Sequence, residues 1–194
     1  MILSERYGSY VSSGNFVLKN LNHANTVLDI GCSIGYLTTY YGLKSPKSSF
    51  IGIDFSPDSI ETANLFKKKL GIGNVDFIHQ DVNKINLPKK TFDMIIDTQS
   101  IYYSKDHLKT FISLKKIMTT KGRVITMPGI GEKELIKKYI DQILGAGFNI
   151  IDFRFIKTAN LGETEYLPTI TCGVNIENKR IDTDHILNEL FNSL

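Results

Sequence analysis

The chain has 194 residues, long enough for one well-buried domain and too short for two comfortable ones. Its 42% hydrophobic and 22% charged residues are ordinary for a soluble globular protein, and the net charge of +3 neither requires nor excludes a nucleic-acid partner. Cys32 and Cys172 lie far apart, with no CxxC and no metal-ligand spacing, so neither a structural disulfide nor a metal site is expected and a reducing cytoplasm is.

In chain order, the opening "MILSERYGSY" places Glu5 and Arg6 too early for the apolar core of a signal peptide, and no segment has the apolar length of a membrane helix. "GSYVSSGNFVLKNL" reads as one covering helix. "TVLDI", "SSFIGID", "VDFIH", "FDMIID" and "GRVITM" are short apolar runs with the length and composition of buried strands. Between them, 57–69 is a helix in which Ser56 can cap, Pro57 suits the first turn and Gly71 lies just past the end. Residues 108–118 and 132–146 repeat the helical spacing, each followed by glycine. "FNIIDFRFI" and "YLPTITCGV" are joined by "ANLG", too short for a crossover helix, so they pair antiparallel. Pro168 points to an edge or a strand start, and 183–194 reads as a terminal helix.

The fold class is therefore α/β: a doubly wound, mostly parallel seven-stranded sheet with a C-terminal antiparallel hairpin and helices on both faces. One domain is expected over 1–194, with a short helical cover over 1–25, the sheet core over 26–175 and a C-terminal helix over 176–194.

Ligands of such a sheet bind beyond the carboxyl ends of the strands. The first strand ends there in "TVLDIGCSIGYLT", where Gly31 and Gly35 remove Cβ atoms around Cys32 and Ser33, and a helix starts near Gly35 with N–H groups to offer. A dinucleotide fingerprint needs glycine where Ser33 and Tyr36 stand, and a Walker loop needs a Gly-Lys-Ser/Thr end that the stretch does not have.

The stretch instead resembles motif I of the class I S-adenosylmethionine-dependent methyltransferases, D/E-x-G-x-G-x-G, through Asp29, Gly31 and Gly35, with Ser33 in place of the middle glycine. "FIGIDFSPDSIETA" places Asp54, followed by Phe55 and Ser56, where the family has its second-strand acid; "VDFIHQDV" places Asp81 and Val82 after the third strand; and "FDMIIDTQSIYY" ends the fourth with Asp97 and Gln99. The resemblance implies a Rossmann-like fold and S-adenosyl-L-methionine as cofactor, held by Asp29, Gly31, Cys32, Ser33, Gly35, Asp54, Phe55, Ser56, Asp81, Val82, Asp97 and Gln99. Asp54 would accept both ribose hydroxyls, Phe55 would lie on the adenine and Asp81 would accept from its amine.

The resemblance is to the small-molecule type, in which an aromatic or histidine pair follows the fourth strand, here Tyr102-Tyr103; the "NPPY" tetrad of enzymes that methylate base nitrogens is missing. A small-molecule acceptor is expected, methylated by in-line displacement on a cationic sulfonium that an aromatic face can stabilise. Tyr102 and Tyr103 are candidates on the acceptor side, with Tyr102 favoured and Tyr103 the control because adjacent strand-end positions point in different directions, and Tyr36 is a candidate on the cofactor side. His107, after Asp106 at the start of a predicted helix, is a candidate general base, with a solvent-exposed helix start as the alternative reading. His79 is expected beside the cofactor, and His23 and His185 at the periphery. The short N-terminal region and the direct passage from "GRVITM" to the next helix predict an open mouth, to be covered by a second copy or a partner subunit. The alternatives are a cofactor-binding protein of this fold that is not catalytic or needs a partner, and an enzyme acting on protein or RNA. Nucleic-acid and membrane partners are not expected.

Overall fold

A computed structural model describes residues 12–21, 24–160, 163–174 and 182–192. The apolar runs form seven strands of one sheet: β1 (Thr26–Ile30), β2 (Ser49–Asp54), β3 (Val75–His79), β4 (Phe92–Thr98), β5 (Met118–Met127), β6 (Asn149–Asn160) and β7 (Glu163–Gly173). Their order is β3-β2-β1-β4-β5-β7-β6. The first five are parallel and β7 runs antiparallel to both β5 and β6, as the connection lengths require. The helices are α1 (residues 12–20), α2 (Tyr36–Lys44), α3 (Pro57–Leu70), α4 (His107–Ile117), α5 (Lys133–Gly145) and α6 (Thr183–Asn192).

The sheet is buried on both faces because its strands carry apolar residues at successive positions, not alternate ones. Val27, Met94, Ile96 and Ile125 face a core shared with Val17 of α1 and Tyr41 of α2. Leu28, Ile30, Ile53 and Ile95 face the opposite core, built with Phe111 of α4, Ile136 and Tyr139 of α5 and Leu187 of α6. Cys32 and Cys172 are free, and burial pushes both thiols above their ordinary range.

Helix ends follow local chemistry. Ser56 Oγ accepts the Ser59 N–H (3.2 Å), Pro57 occupies the first turn, and Gly71 closes α3 at φ +65°. Asp106 caps α4 by accepting the Lys109 N–H at 2.9 Å.

Two expectations change. Pro168 lies inside β7, opposite Phe155 of β6, and β7 is an internal strand. The proline is tolerated because β5 pairs only with Ile170–Gly173, so its missing N–H falls where β7 has no β5 partner. For the same reason the hairpin continues past the carboxyl end of β5; residues 163–169 extend it by roughly 20 Å at strand rise. The expected open mouth is thus walled on the β5 side. The hairpin also joins α1: Arg154 lies over the Phe16 ring at 5.5 Å, and Ile156 and Leu167 enter the α1 core.

Candidate active site

The site begins where β1 ends. Gly31 and Cys32 both donate their N–H to the Ile53 carbonyl (2.8 and 3.0 Å), which turns the chain across the end of β2. The turn then places Gly31, Ser33 and Gly35 all at positive φ: +70°, +51° and +76°. Ser33 adopts the left-handed conformation that a glycine would take at less cost. That conformation aims its N–H at Asp54 Oδ2 (2.9 Å), while Ser56 donates its N–H to Asp54 Oδ1 (2.9 Å). Asp54 is held at the tip of β2, 9% exposed, with a further lone pair on each oxygen. One strand away Asp29 is deeper, and its Oδ2 accepts the Thr38 hydroxyl of α2 at 2.5 Å. Burial pushes the Asp29 carboxyl up to about 7, against the lowering effect of Thr38 and with help from the negative charges of Asp97 and Asp54.

A cavity of about 480 Å³ opens at these strand ends, within the range of small-ligand sites. Ile30, Ile53, Phe55, Val82 and Tyr103 form its apolar walls; Asp54, Gln80, Asp81, Asn83 and Ser100 supply its polar groups, and Gly31 completes it. Phe55 and Tyr103 are 76% and 80% exposed, so two large rings stand at the rim, that of Tyr103 edge-on to the Tyr102 ring at 5.7 Å. Asp81 Oδ1 accepts both the Asn83 N–H (2.8 Å) and its side-chain amide (2.7 Å), which hold the carboxyl below its usual range and keep it ionised at neutral pH. His79 Nε2 lies 2.9 Å from the Phe55 carbonyl; a carbonyl only accepts, so Nε2 carries the hydrogen and ties β3 to the loop after β2.

The end of β4 is organised from within. Asp97 is fully buried; its Oδ1 accepts the N–H groups of Ser100 and Ile101 (both 2.8 Å), and its Oδ2 accepts the Thr126 hydroxyl at 2.6 Å. Burial raises its carboxyl above the ordinary range. Those two N–H groups open a 3-10 turn over Ile101–Tyr103. Gln99, at φ +64°, donates its N–H to the Met127 carbonyl (3.0 Å), and its side chain lies beside Gly129.

A family model described as a methyltransferase domain matches residues 21–143. The chain belongs to this family. The methyltransferase domain uses S-adenosyl-L-methionine. Malonyl-[acyl-carrier protein] O-methyltransferase of Anoxybacillus flavithermus is 28% identical to it over 131 residues, 63% of this chain and 49% of that protein. An uncharacterized RNA methyltransferase of Mycoplasma mobile is 33% identical over 103 residues, 52% of this chain and 28% of that protein. The chain spans about half or less of the length of the curated relatives it matches. Among solved structures, a SAM dependent methyltransferase from Aquifex aeolicus superposes with TM-score 0.67 at 20% identity, covering 82% of this chain and 88% of that one. A complex of the Haloferax volcanii Trm112 methyltransferase activator with a methyltransferase gives TM-score 0.66 at 16% identity, covering 79% and 84%. These structural likenesses show the fold.

The residues present fit the cofactor. Two carboxylates with spare lone pairs suit a ligand rich in hydroxyl and amine donors, and an exposed phenylalanine beside Ile53 and Val82 suits a flat base. Of the residues that sequence reasoning assigned to the methyltransferase site, Gly31, Asp54, Phe55, Asp81 and Val82 line the cavity. Asp29, Cys32, Ser33, Gly35 and Ser56 are not among the lining residues; Ser33 and Ser56 hold Asp54, and Asp29 binds Thr38. Gly35 meets a packing need: a Cβ there would lie 2.4 Å from Phe77. Gly31 also faces protein, since a Cβ there would lie 1.8 Å from Ser100 Oγ.

Several placements differ from expectation. Asp97 and Gln99 do not line the cavity; Asp97 is spent on the 3-10 turn and on Thr126. Tyr102 is half-buried against the α4–α5 core, and its neighbour Tyr103 reaches the cavity. His107 is half-buried, neither a free base nor a solvated helix start. Its Nε2–H donates to the Tyr102 carbonyl (2.9 Å), and its ring packs against Tyr102 and Tyr139 at centroid distances of 5.9 and 5.2 Å. Tyr36 is 44% exposed and lies outside the cavity lining. His185 pairs with Glu189 on α6, and His23 lies outside the described residues. Among the described residues no group of His, Cys, Asp and Glu is placed to hold a metal ion, and no helix is long and apolar enough to cross a membrane. Sequence reasoning missed Gln80, Asn83 and Ser100. Only Asn83 had a readable signal, an Asp-x-Asn spacing after a strand that suits a side-chain-capped turn.

Proposed function

We propose that this domain transfers the methyl group of S-adenosyl-L-methionine to a small-molecule acceptor. The observation that carries this reading is the cavity at the ends of β1 and β2, with Asp54 pre-oriented on its wall. In this reading Asp54 receives the ribose hydroxyls, Phe55 covers the adenine, and Asp81 accepts from the adenine amine through Oδ2, to which no donor is assigned among the described residues. Gly31 and Ser100 border the cofactor's methionine end. When bound, the cofactor would supply an electrophilic methyl group on a cationic sulfonium: an acceptor bonding to the methyl carbon opposite the sulfur breaks the S–CH3 bond, with S-adenosylhomocysteine as leaving group. The chain's own contribution is to hold the two reactants aligned, and effective concentration of this kind is worth up to about 7–11 kcal/mol in favourable systems. Tyr103, exposed at the rim on the β4 side with its ring edge-on to Tyr102, takes the acceptor-side role for which the sequence favoured Tyr102 of the two. Its ring offers an aromatic face to the acceptor or to the sulfonium.

The small acceptor draws on the malonyl group in the names of several relatives, carried there on a protein, and on the resemblance of the fourth-strand segment to the small-molecule type. A second reading, a larger acceptor or a partner-assisted enzyme, draws on the relative named as an RNA methyltransferase and on the neighbour seen with the Trm112 activator. The test is calorimetry with S-adenosyl-L-methionine and S-adenosylhomocysteine, followed by methyl-labelled cofactor offered to metabolite, protein and RNA fractions. Label entering the metabolite fraction supports the first reading. Label confined to RNA or protein, or transfer only after a partner is added, replaces it with the second.

A further inference from the structure

We propose that Asn83 is a positioning residue that couples the adenine end of the cavity to the loop carrying Tyr103. The proposal rests on the placement of the cofactor beside Asp81 given above. Asn83 is bonded on both sides of the cavity. Its backbone N–H and its side-chain amide both go to Asp81 Oδ1, at 2.8 and 2.7 Å. Its side-chain oxygen accepts the N–H of Lys105, at 2.9 Å, from the loop between β4 and α4. The amide thus has donor and acceptor committed in opposite directions, and its orientation fixes both contacts at once. Asn83 and Tyr103 line the same cavity, and Tyr103 stands two residues before the bonded Lys105.

The two ends of this link differ in strength. All three bonds are exposed; those to Asp81 are charge-assisted and the one to Lys105 is neutral, so water competes with it more effectively. A donor arriving at Asp81 Oδ2 fixes the carboxylate, the carboxylate fixes the Asn83 amide, and the amide then holds Lys105 and the turn before it. The inner end of the same loop is already fixed by Asp97 through Ser100 and Ile101. The outer end is therefore the part whose position a ligand can bias, because the bonded arrangement is favoured only to the extent that the ligand binds it better. Cofactor binding would in this way set the acceptor-side ring before the acceptor arrives.

The chain contains no tryptophan, so Tyr103→Trp places a single reporter on the loop. Fluorescence anisotropy of this variant is followed during titration with S-adenosylhomocysteine, and affinity is measured separately by calorimetry. The same measurements are made with Asn83→Ala added. Lys105→Pro is a second, independent way to cut the link: it removes the bonded N–H together with the lysine side chain, and Ser104 before it already has φ −68° and ψ 150°, the conformation a residue preceding proline adopts. Circular dichroism checks the fold of each. The expected result is that S-adenosylhomocysteine raises the anisotropy of the Tyr103→Trp protein. In both cut variants the ligand still binds within about tenfold, and the anisotropy change at saturation falls by at least half. A full-sized change in either folded, ligand-bound variant overturns the coupling and leaves the cofactor site standing. No binding of S-adenosylhomocysteine to the Tyr103→Trp protein or to its unaltered parent overturns the site and the coupling together.

Discussion

Asp29 and Asp54 end neighbouring strands, yet they meet opposite demands. Asp54 accepts from two N–H groups at the rim of the cavity, whereas Asp29 has one hydroxyl and deep burial. With a folded pKa of about 7 against 3.8 unfolded, Asp29 binds its proton more tightly in the native state. Its effect is absent below pH 4 and becomes a growing destabilisation as pH rises through 4 to 7. At about 1.4 kcal/mol per pKa unit it reaches the order of 4 kcal/mol. Asp29→Asn is expected to flatten the fall in chemical-denaturation stability between about pH 4 and 7, leaving the remaining slope to Asp97 and others; an unchanged slope removes the assignment. Asp54→Ala is expected to lower affinity for S-adenosylhomocysteine at least tenfold by calorimetry, since charge-assisted hydrogen bonds are worth roughly 1.5–3 kcal/mol each. Tyr103→Ala is expected to reduce methyl transfer at least tenfold with cofactor affinity within threefold, and Tyr102→Phe to leave both near the parent, because the Tyr102 ring serves packing.

At the scale of elements, the site is a set of loops held by caps. The α3 cap is the clearest: Ser56 gives its N–H to Asp54 and its hydroxyl oxygen to the Ser59 N–H, so one residue serves helix and site. Ser56→Ala keeps the first bond and loses the second. It is expected to cost about 1 kcal/mol in denaturant-derived stability and to change cofactor affinity less than threefold. The loop after β1 depends on conformation. A side chain at Gly31 would overlap Ser100, so Gly31→Val is expected to destabilise the fold and is a poor probe of the cofactor contact. The loop after β4 hangs from Asp97, an acid whose role is to open a 3-10 turn.

At the scale of the molecule, the mouth is set by where the sheet stops. β1 to β5 end near one level, and the β6–β7 hairpin continues beyond it, braced on one face by α1 through Phe16 and on the other by α6, where Phe191 meets Phe155 at 5.3 Å. Phe16→Ala is expected to raise hydrogen exchange in α1 and in the hairpin together while β1 to β4 stay protected. Exchange rising in α1 alone would show that the two are not coupled.

Local pattern determined much of this protein. Buried parallel strands need continuous apolar runs, and a short "ANLG" connection admits only an antiparallel return, so the sheet and its hairpin could be read residue by residue, while Asp54 and Asp81 were singled out by the resemblance of their motifs. The acceptor side could not. Alternation along a strand would send Tyr102 and Tyr103 to opposite faces, but the buried Asp97 carboxylate pulls Ser100 and Ile101 into a 3-10 turn, where successive side chains step by about 120°. That turn puts Tyr103 at the cavity and Tyr102 in the core. The role of Gly31 likewise depends on Ser100, 69 residues away, and the hairpin wall depends on how few residues of β7 find a partner in β5. Periodicity within one element decides what is buried. Which atoms converge at the mouth is decided by contacts between elements distant in sequence, and only the tertiary structure contains them.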